Sequence, residues 1–402
     1  MKRTHCASCL DDALVEVLNL GSSPLADDFP TSPDVEQTWY PLGLARCYSC
    51  GLIQLTEVVP DEELWAGDYG FYTGSSWVAV QNQKAYAEWV MKAFPRIARM
   101  GVLEIACNDG TMLKHFQEAG YPSLGIDPAA GPVAKAHESG LEVWHESFGA
   151  EAARRIVENY GQHGVVIANN VIAHVADLND FVEGLSLVLH PYGVAIVEFQ
   201  YVVDLITGNQ IDHVYHEHRQ FFSLTSLKNI LARHELAPAS VQQVNAQGGS
   251  LRVVIKRNRY WDHSVNQLLR EEHWLNQEHC LDGLQGRADR IRQRLRDMLF
   301  QYKYEGKRVA GYGASAKSTT LLNWCGITPD LIQYMVDTTP TKHGRYTPGT
   351  GIPIISPSAD SRAPDVYVMF VWNYLAEVMK QETLFASQGG RWLVPIPAPV
   401  LL

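Results

Sequence analysis

The segment Val102-Leu-Glu-Ile-Ala-Cys-Asn-Asp-Gly110, followed by Gly125-Ile-Asp127-Pro, constrains the fold more than any other stretch of the chain. It reads as a buried strand, a tight turn, a helix, and a second strand that ends in an acid. In an α/β sheet that arrangement opens a crevice for a nucleoside. Asp127 can accept both ribose hydroxyls, and the small residues Ala106 and Gly110 let the backbone approach a ligand. The turn lacks a G-x-G-x-x-G run. Glu104 opens it with a negative charge, which opposes a pyrophosphate and suits a cation such as S-adenosylmethionine (SAM). The alternative is a βαβ unit with no ligand.

A chain of 402 residues has room for two or three domains. A formal net charge of −11 argues against nucleic acid and anionic membrane as partners. No apolar run follows Met1-Lys-Arg-Thr4, and no stretch approaches the roughly 18 apolar residues of a spanning helix. The expected address is the cytoplasm, where the seven cysteines stay reduced unless they hold metal.

The first 60 residues are rich in turn formers and poor in helix pattern, so a small loop-rich module there needs a staple. Residues 78–98 have helical spacing. Apolar runs at 101–106, 122–127, 142–144, 164–169 and 192–199, separated by helical stretches, predict a parallel sheet with crossover helices. Two late strands at 238–244 and 250–256 complete a seven-strand sheet ending in a hairpin. Residues 265–304 read as one long charged helical connector. Strands at 308–313, 331–336 and 365–370 with a helix from Thr319 predict a second, smaller α/β domain.

Cys6-Ala-Ser-Cys9 and Cys47-Tyr-Ser-Cys50 are two C-x-x-C knuckles. Four thiolates close a tetrahedral zinc shell with no open position, which is a structural site. Cys107, Cys280 and Cys325 read as ordinary buried cysteines. Asn169 and Asn170 end a strand at the carboxyl edge of the sheet, where they can contact the amino-acid part of SAM, and His174 beyond them can face a substrate. Phe148 follows the third strand, where adenine usually lies; core packing is the alternative.

Asp212-His-Val-Tyr215-His216-Glu217-His218 is the densest titratable cluster. Such crowding pushes pKa values apart, which suits proton transfer. His213, His216 and His218 also make a possible metal set, without H-E-x-x-H spacing, and a solvated polar turn is the third reading. Asp68-Tyr69-Gly-Phe-Tyr72-Thr-Gly74-Ser75-Ser76 either roofs an active site or packs as a linker.

Gly311-Tyr-Gly313-Ala314-Ser-Ala316-Lys317 matches G-x-G-x-x-A between a strand and a helix, with Asp337 ending the next strand. That is a dinucleotide fingerprint, so NAD(P) binding stands as an alternative. Lys317 at the helix start also suits a sugar nucleotide's diphosphate. Lys342, Gly344, Arg345 and Pro348-Gly349 form a basic loop nearby.

Together these segments, with Gly248-Gly-Ser-Leu-Arg252 and Leu321-Leu-Asn323, resemble the sugar C-methyltransferases that act on carbon 3 of nucleotide-linked 4-keto-deoxysugars. The resemblance covers essentially the whole chain. It implies a zinc-binding domain over residues 1–68, a SAM methyltransferase domain over 69–257, and a Rossmann-like domain over 258–402 that helps hold a dTDP- or GDP-linked sugar. It implies a catalytic set of Tyr215, Glu217, His218, His174 and Tyr69, with Tyr72 as the alternative tyrosine. It implies SAM on Glu104, Ala106, Asn108, Gly110, Asp127, Phe148, Asn169 and Asn170. Substrate falls to Tyr72, Ser75, Arg252, Gly313, Ala314, Lys317, Asp337 and Lys342. Two positions depart from the pattern: Ala106 stands where the family usually has Gly, and Gln247 where His is common.

The implied reaction starts with His218, oriented by Glu217, removing the proton on carbon 3, while Tyr215 or a neighbouring donor stabilises the enolate oxygen. A sugar O-methyltransferase, an NAD(P)-linked sugar oxidoreductase and a non-catalytic binding protein are the competing readings. A monomer and a homodimer both suit the long helical stretch.

Overall fold

The computed structural model describes residues 1–65, 72–75, 77–257, 260–359 and 363–402. Its centre is a seven-stranded sheet in the order Ala237–Val244, Ser250–Lys256, Leu189–Gln200, His163–Asn169, Val102–Ile105, Ser123–Asp127, Val143–His145. The five strands from Leu189–Gln200 to Val143–His145 are parallel. Ser250–Lys256 runs antiparallel to Leu189–Gln200 and forms a hairpin with Ala237–Val244. The chain moves outward from Val102–Ile105 in one direction, then returns to its other side with His163–Asn169. That reversal leaves a crevice at the carboxyl ends of these two neighbouring strands. The turn 106–110 and the pair Asn169–Asn170 stand on it.

The helices follow from apolar spacing. Thr111–Glu118 buries Met112, Leu113 and Phe116, and Leu178–Val188 buries Phe181, Val182, Leu185 and Val188. Asp177 caps the latter by accepting from the Asp180 N–H.

The first 60 residues carry more regular structure than their turn formers suggest. Leu14–Ser23, Tyr40–Cys47 and Ile53–Leu55 form an antiparallel sheet, and Gln220–Phe221 joins as its fourth strand. The module lacks a core of its own and borrows one. Leu18, Leu20, Leu42, Leu44 and Leu55 are buried in one cluster with Leu284, Ile291, Leu321 and Leu322 of the last third of the chain.

The stretch 265–304 is two helices, His263–Glu271 and Leu284–Tyr304, rather than one. Glu272 stands at the break, where a 3-10 helix, Glu272–Asn276, follows the first of them. It is fully buried and accepts from the Leu224 and Thr225 N–H groups, the Thr225 hydroxyl and the Tyr201 hydroxyl. A carboxylate at the first turn of the helix Leu224–Arg233 also complements that helix's dipole.

The last sheet has the order Ile354–Ile355, Met335–Val336, Val309–Tyr312, Val366–Met369, Arg391–Val394, Val400–Leu401. All its pairings are parallel except the final one. The helix Ala316–Cys325 follows its central strand. Both α/β units therefore have the doubly wound character expected of them. Among the described residues no helix is long and apolar enough to cross a membrane.

Candidate active site

The crevice turn uses left-handed backbone at Ala106 (φ 57°), Asn108 (φ 54°) and Gly110 (φ 71°). Asp127 holds it by accepting from the Asn108 N–H and the Ala129 N–H, each at 2.8 Å. Glu104 is buried, and its Oε2 has no hydrogen-bond partner among the described residues. Burial first, then the nearby Asp127 and Asp109 carboxylates, hold its pKa well above the usual carboxylate range. A buried acceptor of this kind costs stability unless a donor arrives. A ligand ammonium is such a donor, so the site fits SAM.

Residues 72–75 cover this turn. The Thr73 N–H and hydroxyl donate to Asn108 Oδ1, and the Gly74 N–H donates to Asp109 Oδ2 at 2.7 Å. Thr73, Gly74 and Asp109 lie in segments marked in the sequence but were given no role of their own there. The Tyr72 hydroxyl packs on Gly131, where an added Cβ would sit 2.4 Å away. Tyr72 is thus on the cofactor side of the crevice, and Ser75 spends its hydroxyl on the Tyr72 carbonyl. Tyr69 lies outside the described residues. Asn169 accepts from the Tyr86 hydroxyl at 3.0 Å, and Asn170 takes a left-handed conformation at φ 53°. Phe148 is half-buried edge-on to Phe181 and packs against the core.

Arg252, a substrate candidate, is engaged within the chain. Its Nε donates to Glu198 at 2.8 Å, and its guanidinium lies over the rings of Tyr86 and Trp89. Adjacent strands place the pair, because Arg252 and Glu198 are register partners.

The cluster 212–218 sits between the three units. His218 Nδ1 is 2.9 Å from the His213 carbonyl, and its Nε2 is 2.9 Å from the Tyr215 hydroxyl. A carbonyl only accepts, so Nδ1 carries the proton, and Nε2 of the neutral ring accepts from the tyrosine. Burial, then His174, pushes the His218 pKa well below the ordinary imidazole value. His174 Nδ1 donates to the Glu217 carbonyl at 2.7 Å, and its ring lies 4.9 Å from that of His218. Burial holds His174 down to about 4. His218, Tyr215 and His174 therefore meet at one place.

Glu217 does not orient His218 through its carboxylate. Its side chain faces the backbone of Ala26 and Asp27 instead, and burial, then the Asp27 carboxylate, raises its pKa. The segment alternates direction, so 215 and 218 face the cleft while 216 and 217 face the N-terminal module. His216 accordingly reaches the Pro41 carbonyl. That split also separates His216 from His213 and His218, and among the described residues no group of three or more metal-ligating side chains forms there.

The fingerprint loop of the last unit repeats the device of the first crevice. Asp337 accepts from the Ala314 and Thr339 N–H groups, each at 2.8 Å, and Gly313 is left-handed at φ 91° with Val371 packed against it. Lys342 donates to the Ala314 carbonyl and lies over the Phe29 ring; Arg345 donates to the Phe29 carbonyl. The basic loop thus fastens the units together. Lys317 stands apart: its helix docks on the segment 212–218 through the Thr320 hydroxyl, which donates to the Val214 carbonyl at 2.9 Å.

The sulfur atoms of Cys6, Cys9, Cys47 and Cys50 all lie within 4.8 Å of one another, with Cys6–Cys50 and Cys9–Cys47 at 3.5 Å. Four sulfurs about 2.3 Å from a common zinc ion require nearly such spacings. Knuckle carbonyls are tied to the central unit, since Asn179 donates to Ala7 and Ser8 and Asn229 donates to Cys50.

Three family models tile the chain: a putative zinc binding domain at residues 6–65, a methyltransferase domain at 78–241, and a C-methyltransferase C-terminal domain at 245–397. The C-methyltransferase NovU of Streptomyces niveus is 32% identical over 404 residues, covering 98% of this chain and 96% of the relative.

The chain belongs to this C-methyltransferase family.

It is a SAM-dependent C-methyltransferase with a zinc-binding N-terminal module. A ubiquinone biosynthesis O-methyltransferase of Bartonella tribocorum is 26% identical over 155 residues, 34% of this chain and 59% of that protein. The magnesium protoporphyrin IX methyltransferase of Synechocystis PCC 6803 with bound SAM has a TM-score of 0.37 at 14% identity, covering 50% of this chain and 100% of that one.

Proposed function

We propose that this C-methyltransferase acts on carbon 3 of a dTDP- or GDP-linked 4-keto-deoxysugar through an enolate. The units would be a zinc module over residues 1–68, a SAM domain over 69–257 and a nucleotide-sugar domain over 258–402. The observation that carries the reading is the hydrogen bond between Tyr215 and His218. A neutral imidazole and a phenol side by side match what enolisation presents together, an acidic C–H and its neighbouring carbonyl oxygen. SAM, when bound on Glu104 and Asp127, supplies an electrophilic methyl group.

His218 Nε2 takes the proton from carbon 3. The electron pair moves into the ring as the carbonyl becomes an enolate, and the Tyr215 hydroxyl turns from Nε2 to that oxygen. The His213 carbonyl keeps the ring in the tautomer that leaves Nε2 free to receive the proton. His174 forms the adjoining wall. Methylation of an oxygen needs no base for a carbon acid, so this pairing favours carbon. Incubation with a deuterated solvent and S-adenosylhomocysteine tests the step directly: exchange at carbon 3 supports it, and methylation without any exchange-competent His218 removes it.

A further inference from the structure

Lys317 is only 8% exposed, at the start of the helix Ala316–Cys325. It lies one helical turn before Thr320, on the face that docks against Val214. Burial pushes its pKa down, and the Asp212 carboxylate works against that. Asp212 is fully buried; its Oδ2 accepts from the Trp372 indole at 2.7 Å, and its Oδ1 has no partner. The His213 ring lies parallel to that of His218 with centroids 6.5 Å apart. A lysine is thus buried where its helix packs on the segment that carries Tyr215 and His218, and the Asp212 carboxylate favours its charged form.

We propose that Lys317 is a catalytic residue whose ammonium stabilises the enolate oxygen, rather than a clamp for the substrate's diphosphate. The inference rests on the enolate reading above. Once carbon 3 has given its proton to His218, that ring is an imidazolium, and the enolate oxygen on the neighbouring carbon has only the phenol's neutral hydrogen bond. A fixed cation meets that charge without reorganising as it forms. A diphosphate would have to bring a larger charge into the same restricted space, at a high desolvation cost. In the step itself, the C3–H bond breaks and its proton goes to His218 Nε2. The C–H electron pair forms the C3–C4 double bond, and the carbonyl π pair moves to the oxygen facing Lys317. No electrons enter or leave.

The test compares wild type with Lys317→Met, Lys317→Gln and Lys317→Arg. The probes are dTDP-4-keto-6-deoxyglucose and GDP-4-keto-6-deoxymannose. Hydrogen exchange at carbon 3 is followed in deuterated buffer with S-adenosylhomocysteine present, together with kcat for methylation and titrations with free dTDP, GDP and SAM. We expect exchange and kcat to fall about 10²–10³-fold in the Met and Gln variants. Affinity for dTDP or GDP should stay within threefold, and Arg should recover at least a tenfold part of the loss. Retained exchange at saturation with weakened nucleotide binding overturns the proposal and makes Lys317 the diphosphate clamp. Wild-type protein that neither exchanges nor methylates either sugar overturns the substrate reading and this proposal with it. A Met variant that fails to bind SAM is replaced by the Gln and Arg variants, to which the same readouts apply.

Discussion

The proton on Nδ1 of His218 is fixed by the carbonyl of His213, 2.9 Å away. Five residues of backbone thus decide which nitrogen of the ring can act as a base. The same imidazole reaches Tyr215 with its other nitrogen, so the proposed base and oxyanion donor are set by one short segment.

Replacing His218 by Gln should cut turnover by about 10²–10⁴-fold while SAM affinity stays within threefold. Tyr215→Phe should cost less, on the order of tenfold to a hundredfold, and lower kcat more than KM. Steady-state kinetics with a separate SAM titration checks both. A His218→Gln protein with normal turnover would remove the base from the account.

Stability should fall in mild acid. Burial holds His163, His174 and His216 down to about 4. The unfolded chain titrates near 6.5, so it binds more protons between those values. The stability these rings contribute is fully present above about 6.5 and is lost as pH falls through about 4. His163→Gln should weaken that dependence by on the order of 2 kcal/mol between pH 7 and pH 4. Urea unfolding across this range checks it; an unchanged slope in the variant contradicts it.

Glu104→Gln should trade affinity for stability. The carboxylate's raised pKa means the folded state favours the neutral form, and stability falls as pH rises above the ordinary carboxylate value. An amide removes that cost, so the unliganded protein should melt higher at pH 7. SAM affinity should drop at least tenfold, because the ammonium loses its counter-charge. Thermal melts with and without SAM separate the two effects, and equal affinity in the variant would sink the assignment.

Zinc loss should act through the fold. The module's strand Ile53–Leu55 pairs with Gln220–Phe221, directly after the segment 212–218. Arg219, between them, donates to the Val59 carbonyl and to Asp61. Cys47→Ser or a strong chelator should therefore lower the melting temperature and the activity together. Lost activity with an unchanged melting curve would give the metal a chemical part.

Ala106→Gly should be tolerated and stabilising by up to about 1 kcal/mol, since Ala106 sits at φ 57° where a side chain is strained. Denaturant titration of the two proteins measures it.

The central sheet was legible because each strand is a short apolar run bounded by turn residues, and burial of both faces requires such runs. The zinc ligands were legible from spacing alone. The N-terminal strands were hidden because their core lies in another unit, which local pattern does not record. The direction of Glu217 was hidden for a different reason: Tyr215, Glu217 and His218 are near neighbours in sequence, but a turn sends 217 to the opposite side. The resemblance gave Arg252 to the substrate, and its partners Glu198 and Tyr86 were hidden because they are remote in the chain. Helix period marked 265–304 but not the inward turn of Glu272 where it divides.

The central claim is carbon methylation of a 4-keto sugar nucleotide. Its most direct test is to incubate the purified protein with SAM and a panel of dTDP- and GDP-linked 4-keto-6-deoxy sugars, then to locate any new methyl group by mass and carbon NMR. One added methyl on carbon 3, resistant to hydrolysis, is the expected result. A methyl found on oxygen, or no transfer to any member by protein that binds SAM, would contradict it.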